Sequence, residues 1–129
     1  MAQSFHPSTF AVLVVEDEPL LLMDAMDMIE DAGFVVYGAA NADEAIAVLE
    51  RHSEIRILFT DVDMPGSMDG LKLAHFVSDR WPPVSIIVAS GHVKISKEEL
   101  PDNGLFFSKP YPPRAIVTAL SGIAANIAH

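Results

Sequence analysis

The sequence predicts an α/β domain in which a five-stranded parallel sheet carries helices on both faces. Short apolar runs alternate with segments of helical periodicity, and no internal repeat or linker interrupts the alternation. Continuous apolar runs of this length are typical of strands that are buried on both sides. The 129 residues fit one domain with a substantial core and leave no room for a second folded unit.

The first half of the chain predicts three strands and two helices. The strands are Ala11 to Val15, Phe34 to Tyr37 and Arg56 to Thr60. A first helix begins near Pro19, which suits a first helical turn, and ends before Gly33. Asn41 and Glu44 have the spacing of a capping box and predict a second helix to about Glu50.

The second half predicts a loop and the remaining elements. The loop runs from Asp61 to Gly70, a third helix from Leu71 to Arg80, the strands from Val84 to Ala89 and from Leu105 to Ser108, and a last helix from about Pro113. Between these strands, the segment from Gly91 to Gly104 has few apolar residues, so we expect mobility there and a fourth helix that is short or disordered. Of the doubly wound arrangements we favour the flavodoxin-like order 2-1-3-4-5, which places the first and third strands side by side.

Composition and charge narrow the class of protein. The net charge is −10, and no Lys or Arg precedes Arg51 while ten acidic residues do. A domain without a basic patch is a poor candidate for binding nucleic acid. The apolar runs are too short to cross a membrane, so we expect a cytoplasmic protein. We expect residues 1–10 to form a flexible leader and residues 11–129 to form the folded domain.

Polar groups follow four of the predicted strands. They are Glu16 and Asp17, Asp61, Ser90, and Lys109. Because ligands bind beyond the carboxyl ends of parallel strands, these groups predict a metal-assisted phosphoryl site at one edge of the sheet. Each group alone has an ordinary alternative: an acidic pair at a helix start, a turn-forming Asp, a helix-capping Ser or a solvated Lys. The four occurring together favour the site.

The segments that carry these groups show a family resemblance. They read VVEDE at 14–18, TDVDMPG at 60–66, ASGH at 89–92 and FSKP at 107–110. In this order they resemble a response-regulator receiver domain of the stand-alone type, over residues 11 to about 125. The 44 positions from Asp17 to Asp61 also fit that family.

The resemblance implies a function for the acidic residues. Asp61 would accept a phosphoryl group from a phosphohistidine on a histidine kinase or a histidine phosphotransfer protein. Mg²⁺ would be the cofactor, with Asp17 and Asp61 as ligands, Glu16 reaching it through water, and the backbone carbonyl of Asp63 completing the protein ligands. Such a domain is a phosphoacceptor signalling module rather than an enzyme, and it acts through an unknown downstream protein.

The resemblance also implies a switch. Ser90 would hydrogen-bond to the phosphoryl oxygens, Lys109 would pair with them, and the rotamer of Phe106 would follow the Ser90 hydroxyl. Asp63 and His92 lie two positions beyond Asp61 and Ser90, where we expect them to modulate the lifetime of the aspartyl phosphate.

The chain departs from the family pattern at several positions. Glu16 stands where Asp is commoner, Ser90 where Thr is commoner and Phe106 where Tyr is often found, and Ser67 lengthens its loop by one residue. The 19 positions from Ser90 to Lys109 are fewer than is typical, so we do not assume a homodimer built on the fourth helix, fifth strand and fifth helix, and we expect at most a weak homodimer.

Two other functions stay open. Asp61 and Asp63 form an Asp-x-Asp pair like that of Mg²⁺-dependent phosphohydrolases with an aspartate nucleophile, although in those enzymes the pair follows the first strand. A degenerate receiver acting only as a scaffold is the third option.

We also expect a phosphoryl donor to present basic residues to the acidic face of the first helix, formed by Asp24, Asp27 and Asp31.

Overall fold

The computed structural model describes residues 10–64 and 68–128 and contains the predicted sheet. Five parallel strands lie in the order β2-β1-β3-β4-β5. In chain order the elements are β1 Ala11–Val15, α1 Pro19–Asp31, β2 Val35–Ala39, α2 Ala42–Arg51, β3 Ile55–Asp61, α3 Gly70–Arg80, β4 Ser85–Ser90, a 3₁₀ turn Lys97–Glu99, β5 Leu105–Ser108 and α4 Pro113–Ala128. The predicted fold class and strand order are therefore confirmed.

Several strand boundaries differ from the predicted ones. β2 begins and ends later than predicted, because its pairing with β1 extends to Ala39, beyond the apolar run on which the prediction rested. β3 and β4 each include the polar residue that was expected just after them, so Asp61 and Ser90 are the last residues of their strands. The predicted leader lies almost entirely outside the described residues, as does Ser67.

The predicted fourth helix is short, as its few apolar residues led us to expect. The described part of the chain has four α-helices, and a 3₁₀ turn at Lys97–Glu99 stands in place of the predicted fourth helix. Within the segment Gly91 to Gly104, the side chains that are buried belong to Ile95, Leu100 and Pro101. Since an amphipathic helix requires a continuous apolar stripe, three separate anchors hold only a short turn.

The core consists of two layers, one on each face of the sheet. Leu13, Leu58 and Val88 point toward α2 and α3, where they pack with Leu73 and Val77. On the opposite face, side chains of β1, β3 and β4 pack against α1 and α4: Val12, Val14, Ile57, Phe59, Ile87, Ile29, Ile116 and Leu120. The alternation of side chains along each strand thus divides the sheet between the two helical layers.

Side-chain caps define the start of two helices. The N–H of Glu44 donates to Oδ1 of Asn41 at 2.9 Å, as a capping box requires. The Glu44 carboxylate accepts from the N–H of Ala40 at 2.8 Å, one residue earlier than the predicted box. At α3, Oδ1 of Asp69 accepts from the N–H of Lys72 at 2.9 Å.

Among the described residues, none of the helices combines the length and apolar character that crossing a membrane demands.

Candidate functional site

The site forms where β1 and β3 end side by side. Their register pairs Val15 with Thr60, so the next residues, Glu16 and Asp61, leave the sheet at the same edge. A backbone hydrogen bond from Glu16 to Ala39 fixes the exit of β1 at 3.0 Å, and one from Val62 to Ala89 fixes the exit of β3 at 2.9 Å. Both carboxylates are consequently positioned by the central strands of the sheet.

Three carboxylates meet at this edge. One oxygen each of Glu16, Asp17 and Asp61 lies within 4.8 Å of the other two. Glu16 and Asp61 are each only 7% exposed, whereas Asp17 faces solvent. The cluster therefore has two buried members and one member that is open to approaching ligands.

Lys109 places one ammonium against this cluster. Its Nζ lies 3.2 Å from Oε1 of Glu16 and 3.1 Å from Oδ1 of Asp61. The backbone N–H of Lys109 donates to the carbonyl of Ser90 at 2.9 Å, which holds the end of β5 beside β4. Oδ1 of Asp61 is buried and makes no well-directed hydrogen bond within the described chain, so its contact with Lys109 is a charge pair governed by distance.

The electrostatics of the site follow from burial. Burial raises the pKa of Glu16. The backbone N–H of Glu18 and the ammonium of Lys109 favour its charged form and partly offset this rise. Burial likewise raises the pKa of Asp61, although the ammonium of Lys109 partly offsets it. For Lys109 burial acts in the opposite direction, but its pairing with Asp61 and Glu16 prevails and raises its pKa. The site therefore has more negative charge than one ammonium neutralises.

The residues at this edge fit a hard divalent cation. All three side chains offer carboxylate oxygens, which Mg²⁺ prefers over nitrogen and sulfur ligands. Oδ1 of Asp61 is buried and accepts no hydrogen bond of good geometry among the described residues, although the Lys109 ammonium lies 3.1 Å away, so this oxygen has capacity left for a metal ion. Glu16, Asp17 and Asp61 could thus hold a metal ion together.

Ser90 lies at the centre of a second group of contacts. Its Oγ donates to Oδ2 of Asp63 at 3.1 Å and accepts from the N–H groups of His92 at 3.3 Å and Val93 at 3.1 Å. Ser90 is 2% exposed. The structure thus joins Ser90, Asp63 and the backbone of His92 in one network, with the His92 side chain exposed to solvent.

Phe106 is placed away from the carboxylates. Its position in β5 pairs with Val88, and its half-buried ring packs against the core layer formed with α2 and α3. The ring therefore packs on the face of the sheet that is covered by α2 and α3. The side chains of β1 and β3 beneath Glu16 and Asp61 pack on the other face, against α1 and α4.

A cavity below the carboxylates was missed by sequence reasoning. It has a volume of about 460 Å³ and opens next to Glu16, Asp61 and Lys109. Its apolar wall includes Met28 of α1 and Tyr111, whose pKa is raised by burial. Tyr111 follows the Lys-Pro step by one residue, but no periodicity in that loop indicates which way its ring would point.

Gly70 is a second residue whose importance sequence reasoning missed. A Cβ at this position would lie 1.8 Å from the backbone oxygen of Asp61 and 2.8 Å from Cα of Val62. The N–H of Gly70 donates to the carbonyl of Val62 at 3.0 Å. Gly70 thus allows the start of α3 to pack directly on the backbone that carries Asp61.

Comparison with known proteins gives consistent matches. The sequence profile described as "response regulator receiver domain" matches residues 12–121. The crystal structure of a response regulator receiver protein from Sinorhizobium medicae superimposes with a TM-score of 0.84, at 25% identity, over 94% of this chain and 98% of that one.

Two curated relatives are similar at the sequence level. The two-component response regulator ORR27 of rice is 31% identical over 81% of this chain and 17% of its own length. The uncharacterized transcriptional regulatory protein YesN of Bacillus subtilis is 34% identical over 92% of this chain and 33% of its own length. The chain spans less than half the length of these relatives.

The profile match covers most of the chain, and the fold and its strand order agree with it. This chain therefore belongs to the response regulator receiver domain family of two-component systems.

Proposed function

We propose that the chain is a phosphoacceptor whose Asp61 takes a phosphoryl group from a phosphohistidine on a histidine kinase or a histidine phosphotransfer protein. The observation that carries this proposal is the buried carboxylate of Asp61 beside one ammonium and two further carboxylates. The modified domain would then signal by binding another protein. The proposal includes a cytoplasmic location, where the donor would draw on ATP.

The transfer itself is a substitution at phosphorus. A carboxylate oxygen of Asp61 forms a bond to phosphorus while the bond between phosphorus and the donor imidazole nitrogen breaks. The electron pair of the broken bond stays on the imidazole, and the product on this chain is an aspartyl phosphate. Because the transition state spreads negative charge over the moving group, positioning and charge neutralisation supply most of the catalysis.

Lys109 and Ser90 would neutralise and orient the phosphoryl oxygens. The ammonium of Lys109 already lies 3.1 Å from Asp61, so a small shift would let it contact an oxygen of a group attached there. Ser90 ends β4, next to the end of β3, and its hydroxyl would donate to another oxygen. Phe106 would respond by repacking in its layer, since its ring lacks the hydroxyl of a Tyr.

Glu16, Asp17 and Asp61 would hold Mg²⁺, with the backbone carbonyl of Asp63 as a further ligand. When bound, Mg²⁺ supplies positive charge that offsets repulsion between the acceptor carboxylate and the anionic phosphoryl group. The burial of Glu16 and Asp61 supports this assignment, because it raises the pKa of both carboxyls and so penalises their charged forms, which a bound cation would favour.

Asp63 and His92 are proposed to set how long the aspartyl phosphate lasts. Both lie next to Ser90, through the Asp63 carboxylate and the His92 backbone. Their side chains would flank the approach of a water molecule to phosphorus. Equal decay rates of the aspartyl phosphate in wild type, Asp63→Asn and His92→Ala would contradict this role.

The acidic face of α1 is the proposed contact for the donor. Asp24, Asp27 and Asp31 are all exposed on this helix. Exposed charges attract a basic partner at low ionic strength and are screened as salt is added. Transfer from a cognate donor is expected to slow with added salt, and a rate independent of salt would count against this contact.

The acceptor chemistry is tested by intact mass after incubation with Mg²⁺ and a small acyl phosphate. We expect one added phosphoryl group in wild type and none in Asp61→Asn. Asp79→Asn is a matched control, because Asp79 is an exposed Asp at the far end of α3 and should still be modified. Unmodified wild type would refute the acceptor proposal, and steady turnover of an aryl phosphate would favour the phosphohydrolase.

A further inference from the structure

We propose that Asp63 is a latch that holds Ser90 in the unphosphorylated state and competes with the phosphoryl group for the only proton of its hydroxyl. This inference rests on the proposed phosphorylation of Asp61 and adds a positioning residue to it. Asp63 acts through Ser90.

The hydrogen bonds of Ser90 are the basis of the latch. A hydroxyl has one donor proton and accepts two hydrogen bonds. In this structure Ser90 donates to Asp63 and accepts from the N–H groups of His92 and Val93. The hydrogen-bonding capacity of the hydroxyl is therefore already full before any phosphoryl group arrives.

A phosphoryl group would draw the hydrogen bond of the Ser90 hydroxyl away from Asp63. Its oxygens accept hydrogen bonds and do not donate them, so Ser90 can bind one only by donating its proton to it. The Asp63 carboxylate then loses its donor and is left near an anion of the same sign. The new hydrogen bond also goes to a charged acceptor, so its strength is similar, and the cost that opposes phosphorylation in wild type is the carboxylate left without a donor beside an anion.

The same movement reaches the segment that follows β4. The N–H groups of His92 and Val93 donate to the same oxygen, whose hydroxyl must turn to reach a new acceptor, and Val93 is 51% exposed. Release of the latch would therefore loosen the first residues of the Gly91 to Gly104 segment. The latch keeps that segment in its unphosphorylated arrangement until a group on Asp61 outcompetes Asp63, which lowers the population of the active state at rest.

Charge removal alone could imitate a latch, so the test compares two neutral variants. Asp63→Asn removes the charge and keeps an acceptor oxygen, whereas Asp63→Ala removes both. Each is made with and without Ser90→Ala, and binding of beryllium fluoride with Mg²⁺, as a phosphoryl mimic, is measured by calorimetry. With Ser90 present, Asp63→Ala should bind about tenfold more tightly than Asp63→Asn.

The Ser90→Ala background supplies the control. There the ratio between the two Asp63 variants should fall by about tenfold, because no hydroxyl remains to be released. An unchanged ratio in the two backgrounds, with wild type still binding the mimic, would overturn the latch and leave the acceptor proposal intact. Failure of wild type to bind the mimic or to gain a phosphoryl group would overturn both.

A second readout compares the variants free of metal and phosphoryl group with wild type loaded with the mimic. The amide resonances of His92 and Val93 report on their bonds to Ser90. In Asp63→Ala they should shift toward the positions seen in wild type loaded with the mimic, and Asp63→Asn should restore them. Unmoved resonances in Asp63→Ala would overturn the latch.

Discussion

The two sides of the site differ in how firmly the fold holds them. Glu16 and Asp61 leave central strands whose residues are almost all buried, with regular helices following on. Beyond Ser90, the segment Gly91 to Gly104 is largely exposed and contains only a 3₁₀ turn. The acceptor side is thus built into the core, and the other side rests on a few anchors.

This difference separates chemistry from signal output. Charged groups that stabilise a transition state work best when they do not need to reorganise, which a buried strand end ensures. A surface that must change on phosphorylation is best placed where few contacts have to break. Under the proposed function, the acceptor side is therefore the part to preserve during signalling, and Gly91 to Gly104 is the part to change.

The largest expected effect comes from Gly70→Ala on the acceptor side. The new Cβ would lie 1.8 Å from the backbone oxygen of Asp61, and backbone has little freedom to give way. We expect a loss of about 4 kcal/mol in the free energy of unfolding, measured by urea denaturation. Gly122→Ala is the control, since a Cβ there meets no atom within 4 Å in a helix and should stabilise by about 0.5–1 kcal/mol. Equal stability of the two variants would show that α3 does not confine Asp61.

Truncating one core residue on each side compares the two regions directly. Leu58→Ala, in β3, should lower global stability by about 3 kcal/mol, because Leu58 is fully buried between sheet and helices. Ile95→Ala should lower it by less, about 1–2 kcal/mol, since that side chain anchors a local segment.

Hydrogen exchange separates local from global opening in the same pair. In Ile95→Ala the amides of the Gly91 to Gly104 segment should accelerate more than those of β3, which should accelerate only as far as the loss of global stability requires. In Leu58→Ala both sets should accelerate by the same factor. Equal acceleration of the two sets in Ile95→Ala would mean that the segment is an integral part of the core.

The same contrast explains what the sequence could predict. The strands, their order and the edge that gathers the polar groups follow from apolar runs such as Ala11 to Val15, because burial on both faces leaves a strong pattern. The truncated fourth helix was expected because few apolar residues lie between Ser90 and Lys109.

Other features have no local signature in the sequence. The contact from Ser90 to Asp63 joins residues 27 positions apart, and the close approach at Gly70 depends on how α3 docks on β3. The orientation of Tyr111 toward the cavity depends on packing between α1 and α4. Each is set by tertiary structure, which periodicity and spacing do not encode.

The acceptor side should show the burial of Asp61 in the pH dependence of stability. Burial raises the pKa of Asp61 above its ordinary 3.8, so the native state binds protons more tightly than the unfolded chain. The stabilisation from this protonation is complete below pH 3.8 and is lost as pH rises through the raised pKa. In metal-free protein, Asp61→Asn should therefore be as stable as wild type in acid and about 1 kcal/mol more stable at pH 7.

Thermal unfolding at several pH values measures this difference, which corresponds to about 4 °C in Tm. Adding Mg²⁺ should stabilise wild type more than Asp61→Asn and so reduce the gap, because a ligand that binds only the native state raises its stability. A variant less stable than wild type at neutral pH would show that the Lys109 pair outweighs the burial of Asp61.

The smallest effect is expected at the contact between α3 and the Gly91 to Gly104 segment. Nε2 of His75 lies 2.6 Å from the carbonyl oxygen of Glu99. His75→Ala should lower global stability by no more than about 1 kcal/mol, because the contact is exposed to solvent. Exchange of the amides in the 3₁₀ turn should nevertheless accelerate, whereas Lys72→Ala, an exposed change on the same helix, should leave it unchanged. If neither variant alters exchange, Ile95 and Leu100 hold the segment without help from α3, and its anchoring is purely apolar.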